Sequence, residues 1–208
     1  MSPGIGSRVR VAAALLSFAA AGRPVAAQEF QVDRSAENMA RFVSQTTVDE
    51  FDGVTDRIDG YVLLDGTPLS ADTGGDDTEL YFEVDLASLD TGIGLRNRHM
   101  RDNYLEVEKY PFASFRGRIT RTEPTKNGGA HVTAHGTFSV HGVDAERDVP
   151  CDVTPAGPGY HATCTFSVLL TEHHIEIPKV MFLKLANEIR VELAFTLSPA
   201  PPRPGEMP

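Results

Sequence analysis

Apolar and polar residues alternate along most of this chain with a period of two. The cleanest run is Thr78–Leu86, where Leu80, Phe82, Val84 and Leu86 interleave with Glu79, Tyr81, Glu83 and Asp85. Alternation of this kind marks a strand with one buried face. The same reading predicts a first strand started by Phe30 and Val32, and strands over Met39–Thr47, Arg57–Leu64, Ala113–Thr120 and His131–Val140. Arg147–Val153, Tyr160–Leu170 and Glu188–Leu197 complete the set. Turn signals fall between the runs, at Asp52-Gly53, Asp65-Gly66, Gly74-Gly75, Asn127-Gly128-Gly129 and His141-Gly142. Many short strands with one apolar face predict an all-β sandwich or a closed barrel. The periodicity leaves both open. About eight strands closed on themselves would leave an interior just wide enough for side chains or one small ligand.

Two segments break the rhythm. Gly94–Val107 is polar, long-chained and free of proline, and reads as a helix or helical turn. Thr171–Asn187 is a long link holding His173-His174, Ile177-Pro178 and the apolar Val180–Leu183. In a barrel such links cross the rim.

The first of these segments sits in a distinctive order: strand, Gly-punctuated turn, polar helix, Tyr-Pro step, strand. Its residues are Asp90-Thr91-Gly92, then the run Arg96–Arg101 with His99 inside it, then Tyr110-Pro111 followed by Phe115. In that order and spacing the chain resembles the YceI-like family of periplasmic polyisoprenoid-binding barrels. The resemblance covers residues 28–197. It implies a closed, antiparallel, lipocalin-like β-barrel of about eight strands, with a short helix at the rim and a long lipid inside.

The inward faces of such strands carry Phe42, Phe82, Val84, Phe115, Phe138, Phe166, Val168, Val191, Leu193 and Phe195. By pattern alone these would simply fill a dry core; the resemblance makes them the lining of a lipid site. Eleven Phe and no Trp suit a lining for alkyl or isoprenoid tails. Arg96, Arg98, His99, Arg101 and Tyr104 form a basic-aromatic cluster in an otherwise acidic chain. They could grip a phosphate or other headgroup at the barrel mouth, or simply pair with Asp102, Glu106 and Glu108 on the helix surface.

The ends and the charge narrow the setting. Residues 1–27 have the layout of a secretory signal: Arg8 and Arg10, an apolar run over Val11–Ala21, then Val25-Ala26-Ala27 before Gln28. That run is too short for the roughly 20 residues a bilayer demands. The expectation is export to the periplasm or beyond, with cleavage near Ala27. The full chain carries a net charge of −10, which argues against nucleic-acid binding and against docking on an anionic membrane. Residues 198–208 are Pro-rich and predicted as a disordered tail unable to pair as a strand. A homodimer stays open.

Cys151 and Cys164 are the only cysteines. In an exported chain they suggest one disulfide, and a hairpin centred on Gly157-Pro158 would set them opposite each other. Two buried thiols are the alternative.

Catalytic and metal signals are weak. There is no G-x-S-x-G, C-x-x-C or H-E-x-x-H, and Asp90-Thr91-Gly92 has no second copy to form an aspartic dyad. His173 and His174 point to opposite faces if extended, while His131 and His135 lie about 13 Å apart along a strand. These histidines are expected to face solvent, with no catalytic residue, metal site or cofactor beyond a bound lipid or isoprenoid. The predicted role is a binding or carrier protein for a long-chain amphiphile: a polyisoprenoid, an isoprenoid quinone or a fatty amide. The alternatives are an enzyme acting on such a lipid through His99 or His173, and a dry-core structural domain.

Overall fold

The computed structural model describes residues 27–45, 50–65, 69–71, 73–75, 78–180 and 183–201. The signal layout before Ala27, the Asp65-Gly66 turn, the end of the predicted strand at Thr46-Thr47, part of Val180–Leu183 and residues 202–208 of the tail lie outside them. Among the described residues, twelve strands run in chain order: β1 (Ala27–Val32), β2 (Met39–Gln45), β3 (Glu50–Thr55), β4 (Ile58–Asp65), β5 (Thr78–Asp85), β6 (Phe112–Pro124), β7 (Ala130–Val140), β8 (Val143–Ala156), β9 (Gly159–Leu169), β10 (Lys179–Val180), β11 (Leu183–Lys184) and β12 (Glu188–Pro199). A helical plug, α1 (Gly94–His99) continued by a π-turn over Met100–Tyr104, separates β5 from β6.

The fold is a closed antiparallel barrel. Its eight staves follow the order β1-β4-β5-β6-β7-β8-β9-β12, and β12 returns to β1. The edge of β12 forks. Val32 and its neighbours pair with Leu197–Pro199, while β2 pairs with Ile189–Ala194 and carries β3 beyond it. Thr196 stitches the fork, its carbonyl accepting from Asp33 N at 2.8 Å and its N–H donating to Asn38 Oδ1 at 3.0 Å. The barrel is therefore wider at the plug end. There Val54 and Asp90 exchange backbone hydrogen bonds of 2.9 and 3.0 Å, tying β3 to the segment that leads into α1.

The opposite end is narrow and closed by satisfied polar groups. Thr78 Oγ1 accepts from Ile119 N and donates to Gly75 O, and Thr122 Oγ1 donates to Thr73 O at 2.7 Å. Curvature in the wall comes from Gly117 and Gly136, which face each other across β6 and β7. A Cβ on either would stand 2.2–2.3 Å from a backbone carbonyl of the other strand, an approach only glycine permits.

Three sequence expectations need correction. Asp52-Gly53 is not a turn but the middle of β3, an unforeseen strand. Gly53 lies opposite Phe42, and a Cβ there would sit 2.2 Å from the Phe42 ring, so the glycine makes room for an aromatic rather than for a bend. Ser198 and Pro199, expected in an unpaired tail, continue β12 and pair with Gln31 and Phe30; the proline occupies a strand end, where a missing N–H costs least. His173 does not face solvent: it has no exposed surface, because the turn over Leu170–His173 folds it beneath the β7–β8 hairpin.

The cysteine hairpin has the expected register. Cys151 pairs with Cys164 in the β8–β9 ladder, and the two form a disulfide.

Candidate lipid-binding site

Alternation places Leu80, Phe82 and Val84 of β5, Phe115 of β6, Phe138 of β7, Phe166 and Val168 of β9, and Val191, Leu193 and Phe195 of β12 toward the barrel axis. All of these line a single internal cavity of about 680 Å³, as does Phe42 of β2. This volume lies within the range of small-molecule sites. The aromatic rings pack in pairs: Phe82 on Phe195 at 4.9 Å between centroids, and Phe138 on Phe166 at 5.7 Å. Gly60, with φ of 148°, stands opposite Phe82, and a Cβ there would strike that ring at 2.6 Å. From Phe30 and Tyr160 at the narrow end to Phe51 at the plug the lining is overwhelmingly apolar.

The plug closes the wide end. Asp90-Thr91-Gly92 forms the turn that leads into it. The Asp90 carboxylate accepts from Gly92 N at 2.8 Å and from Asn97 Nδ2 at 2.7 Å, bonds that hold it below the usual carboxylate range, the Asn97 bond contributing most. Thr91 returns two bonds to Asn97 Oδ1. The Tyr110-Pro111 step anchors the far side. Pro111 O accepts from Leu86 N, and the Tyr110 ring fills the space beside Gly142, against the His141 ring at 5.0 Å.

The basic cluster divides. Arg96, His99 and Tyr104 line the cavity mouth; Arg98 and Arg101 do not. Arg98 is exposed. Arg101 reaches back to donate to Leu89 O at 2.7 Å, binding the plug to the segment just before Asp90 rather than meeting the lumen. Arg96 lies over the Phe51 ring at 4.6 Å, a cation–π contact. Arg96, Met100 and Tyr104 recur at intervals of four, and that period was the available signal for which face of the helix looks inward.

The histidines hold other places. His131 pairs with Asp152, and His135 with Asp148 at 2.8 Å, both on the exposed outer wall. His173 Nδ1 bonds Val143 O at 2.9 Å, and burial holds its imidazole below the ordinary range. His173 lies outside the cavity lining. Among the described residues, no three His, Cys, Asp or Glu side chains gather as a metal site would require. Among them too, no helix is long and apolar enough to cross a membrane.

Comparison with known proteins agrees with this architecture. No curated protein matches the chain. Among solved structures, Burkholderia cenocepacia BcnA superposes with a TM-score of 0.62 at 16% identity, covering 79% of this chain and 98% of its own. A polyisoprenoid binding domain from Saccharophagus degradans, implicated in plant cell wall breakdown, gives 0.61 at 15% identity over 84% of this chain and 100% of its own. The Campylobacter jejuni YceI protein gives 0.50 at 14% identity, over 68% of this chain and 81% of its own. Identities this low speak for the fold alone. The sequence itself matches the YceI-like domain from residue 30 to residue 197, and the chain belongs to that family.

Proposed function

We propose that this protein is an exported carrier that holds a long-chain amphiphile, such as a polyisoprenoid, an isoprenoid quinone or a fatty amide, inside its barrel. The observation that carries this reading is the single apolar cavity running the length of the lumen. Membership of the YceI-like family supports it, as does likeness in fold to a domain described as polyisoprenoid binding. Transfer of a tail from water into such a lining contributes about 25 cal/mol per Å² of apolar surface removed, so a few hundred Å² supplies several kcal/mol before ordering costs. Export rests on the signal layout ahead of Gln28.

Organic extraction of the purified protein, followed by mass spectrometry of extract and polypeptide, tests both parts. An intact co-purified lipid and a chain beginning near Gln28 are expected. Turnover of the lipid on incubation would favour an enzyme, and a protein that neither retains nor takes up any amphiphile would establish a dry core.

A further inference from the structure

Four buried polar atoms find no hydrogen-bond partner among the described residues: Ser44 Oγ, Arg101 Nε, Arg147 Nε and His173 Nε2. Three of them belong to groups already bonded through another nitrogen: Arg101 to Leu89 O, Arg147 to Glu172, His173 to Val143 O. None of those three residues lines the cavity, whereas Ser44 does. Ser44 is 1% exposed and sits on the inward face of β2, in register with Ile189 on one side and Phe51 on the other, both lining residues. A buried hydroxyl with no partner is costly, and native proteins seldom keep one without a use.

A second observation meets it at the same place. Arg96 lies over the Phe51 ring, so Phe51 is flanked by the Ser44 strand position and by a guanidinium. Two arginines line the cavity. Arg41 is committed to Asp52 at 2.7 Å and Glu192 at 2.9 Å, while Arg96 has no carboxylate partner among the described residues. A donor hydroxyl and an uncompensated planar cation at the wide end of an apolar cavity make a recognition site for an oxygen anion.

Building on the carrier reading, we propose that the ligand is a prenyl or acyl chain ending in a carboxylate or phosphate. Its headgroup lies at the plug end between Ser44 and Arg96, and its tail runs toward Phe30 and Tyr160.

A matched probe series tests this: phytane, phytol, phytanic acid and phytyl phosphate, each displacing the neutral fluorophore N-phenyl-1-naphthylamine from the full mature protein. The two anions should bind tightest and the hydrocarbon weakest, and the stronger anion names the headgroup. Ser44→Ala should lower the affinity ratio of the anions to phytane by about tenfold. Arg96→Gln should lower the ratio of the anions to phytol by a similar factor. The unliganded Ser44→Ala protein should melt no lower than wild type, since its hydroxyl has no bond to lose. Equal binding of all four probes, or equal weakening of all four by Ser44→Ala, overturns the headgroup site while leaving the carrier intact. Failure of every probe to displace the fluorophore overturns the carrier reading itself.

Discussion

The two ends of this barrel are built on different terms. At the narrow end, Thr78 and Thr122 satisfy the backbone around them and no described buried polar atom is left over. At the plug end lie all four of the buried atoms without partners. The three described non-glycine residues with left-handed backbone, Glu106, His141 and His174, are there too. Such conformations are uncommon and persist only where surrounding contacts impose them. Here Glu106 and His141 approach each other at 3.6 Å, and His141 also bonds the His173 carbonyl. One end is settled for stability, and the other keeps one unmet polar atom, Ser44 Oγ, on the cavity lining. Local rules tend to fail where a protein does its work, in keeping with the headgroup site proposed at the plug.

The comparison breaks most sharply if the lumen itself is misassigned. Phe195 is 3% exposed, midway along β12, with its ring on Phe82. Phe195→Asp should destabilise by at least about 3 kcal/mol, from lost packing and a carboxylate among apolar groups, and should abolish fluorophore uptake. Phe138 is a poorer choice, because Arg147 stands over its ring at 5.9 Å and could pair with the new acid. Thr133→Asp is the outward control: Thr133 faces Pro150 on one side and Arg121 on the other, so the same charge should leave stability within about 0.5 kcal/mol. Similar losses in both variants, read by urea denaturation, would refute the face assignment.

A smaller effect concerns the wall that links the two ends. The disulfide fastens β8 to β9 across the Gly157-Pro158 turn. Closing a loop of about 14 residues contributes roughly 3 kcal/mol in the chain-entropy model. Replacing both cysteines with alanine should lower the unfolding free energy by that order and leave uptake largely intact, since the proposed headgroup site lies at the plug. Two free thiols in unfolded, unreduced protein would remove the bridge.

These contrasts also explain what could be read from the residues alone. The walls were legible because a period-two pattern has one physical meaning when a single face is buried, and a slip of one residue would invert every side chain. The cysteine register followed from the same arithmetic. The plug end was less legible because its features are relational. Gly53 looks like a turn residue until Phe42 is seen to occupy the space above it. Arg98 and Arg101 have the same chemistry as Arg96, and only the phase of the helix separates them. Ser44 reads as the polar end of a strand, and its significance is that no group among the described residues bonds its hydroxyl, which no local pattern can express.

The smallest predicted effect probes the plug end through acid. His173 donates from Nδ1 to Val143 O, which leaves Nε2 as a buried acceptor beside Phe138, whose ring meets the imidazole edge-on at 5.4 Å. Protonation there would place a charge out of water. That burial holds the pKa below the ordinary imidazole value, outweighing the help of Val143 O, Glu172 and Asp144 and reinforced by Arg147. The unfolded chain therefore binds the proton more readily than the folded one, and folding stability must fall as pH drops below the ordinary imidazole range. The carboxyls held low, Asp33, Asp90 and Glu192, lose their contributions in a separate and more acidic window. His173→Gln keeps a donor for Val143 O and removes the titration. It should cost about 1 kcal/mol at neutral pH and flatten the decline of the urea midpoint between about pH 7 and pH 5. The acid limb below that range should remain. An unchanged slope in the variant would mean that another group carries the acid response of this end.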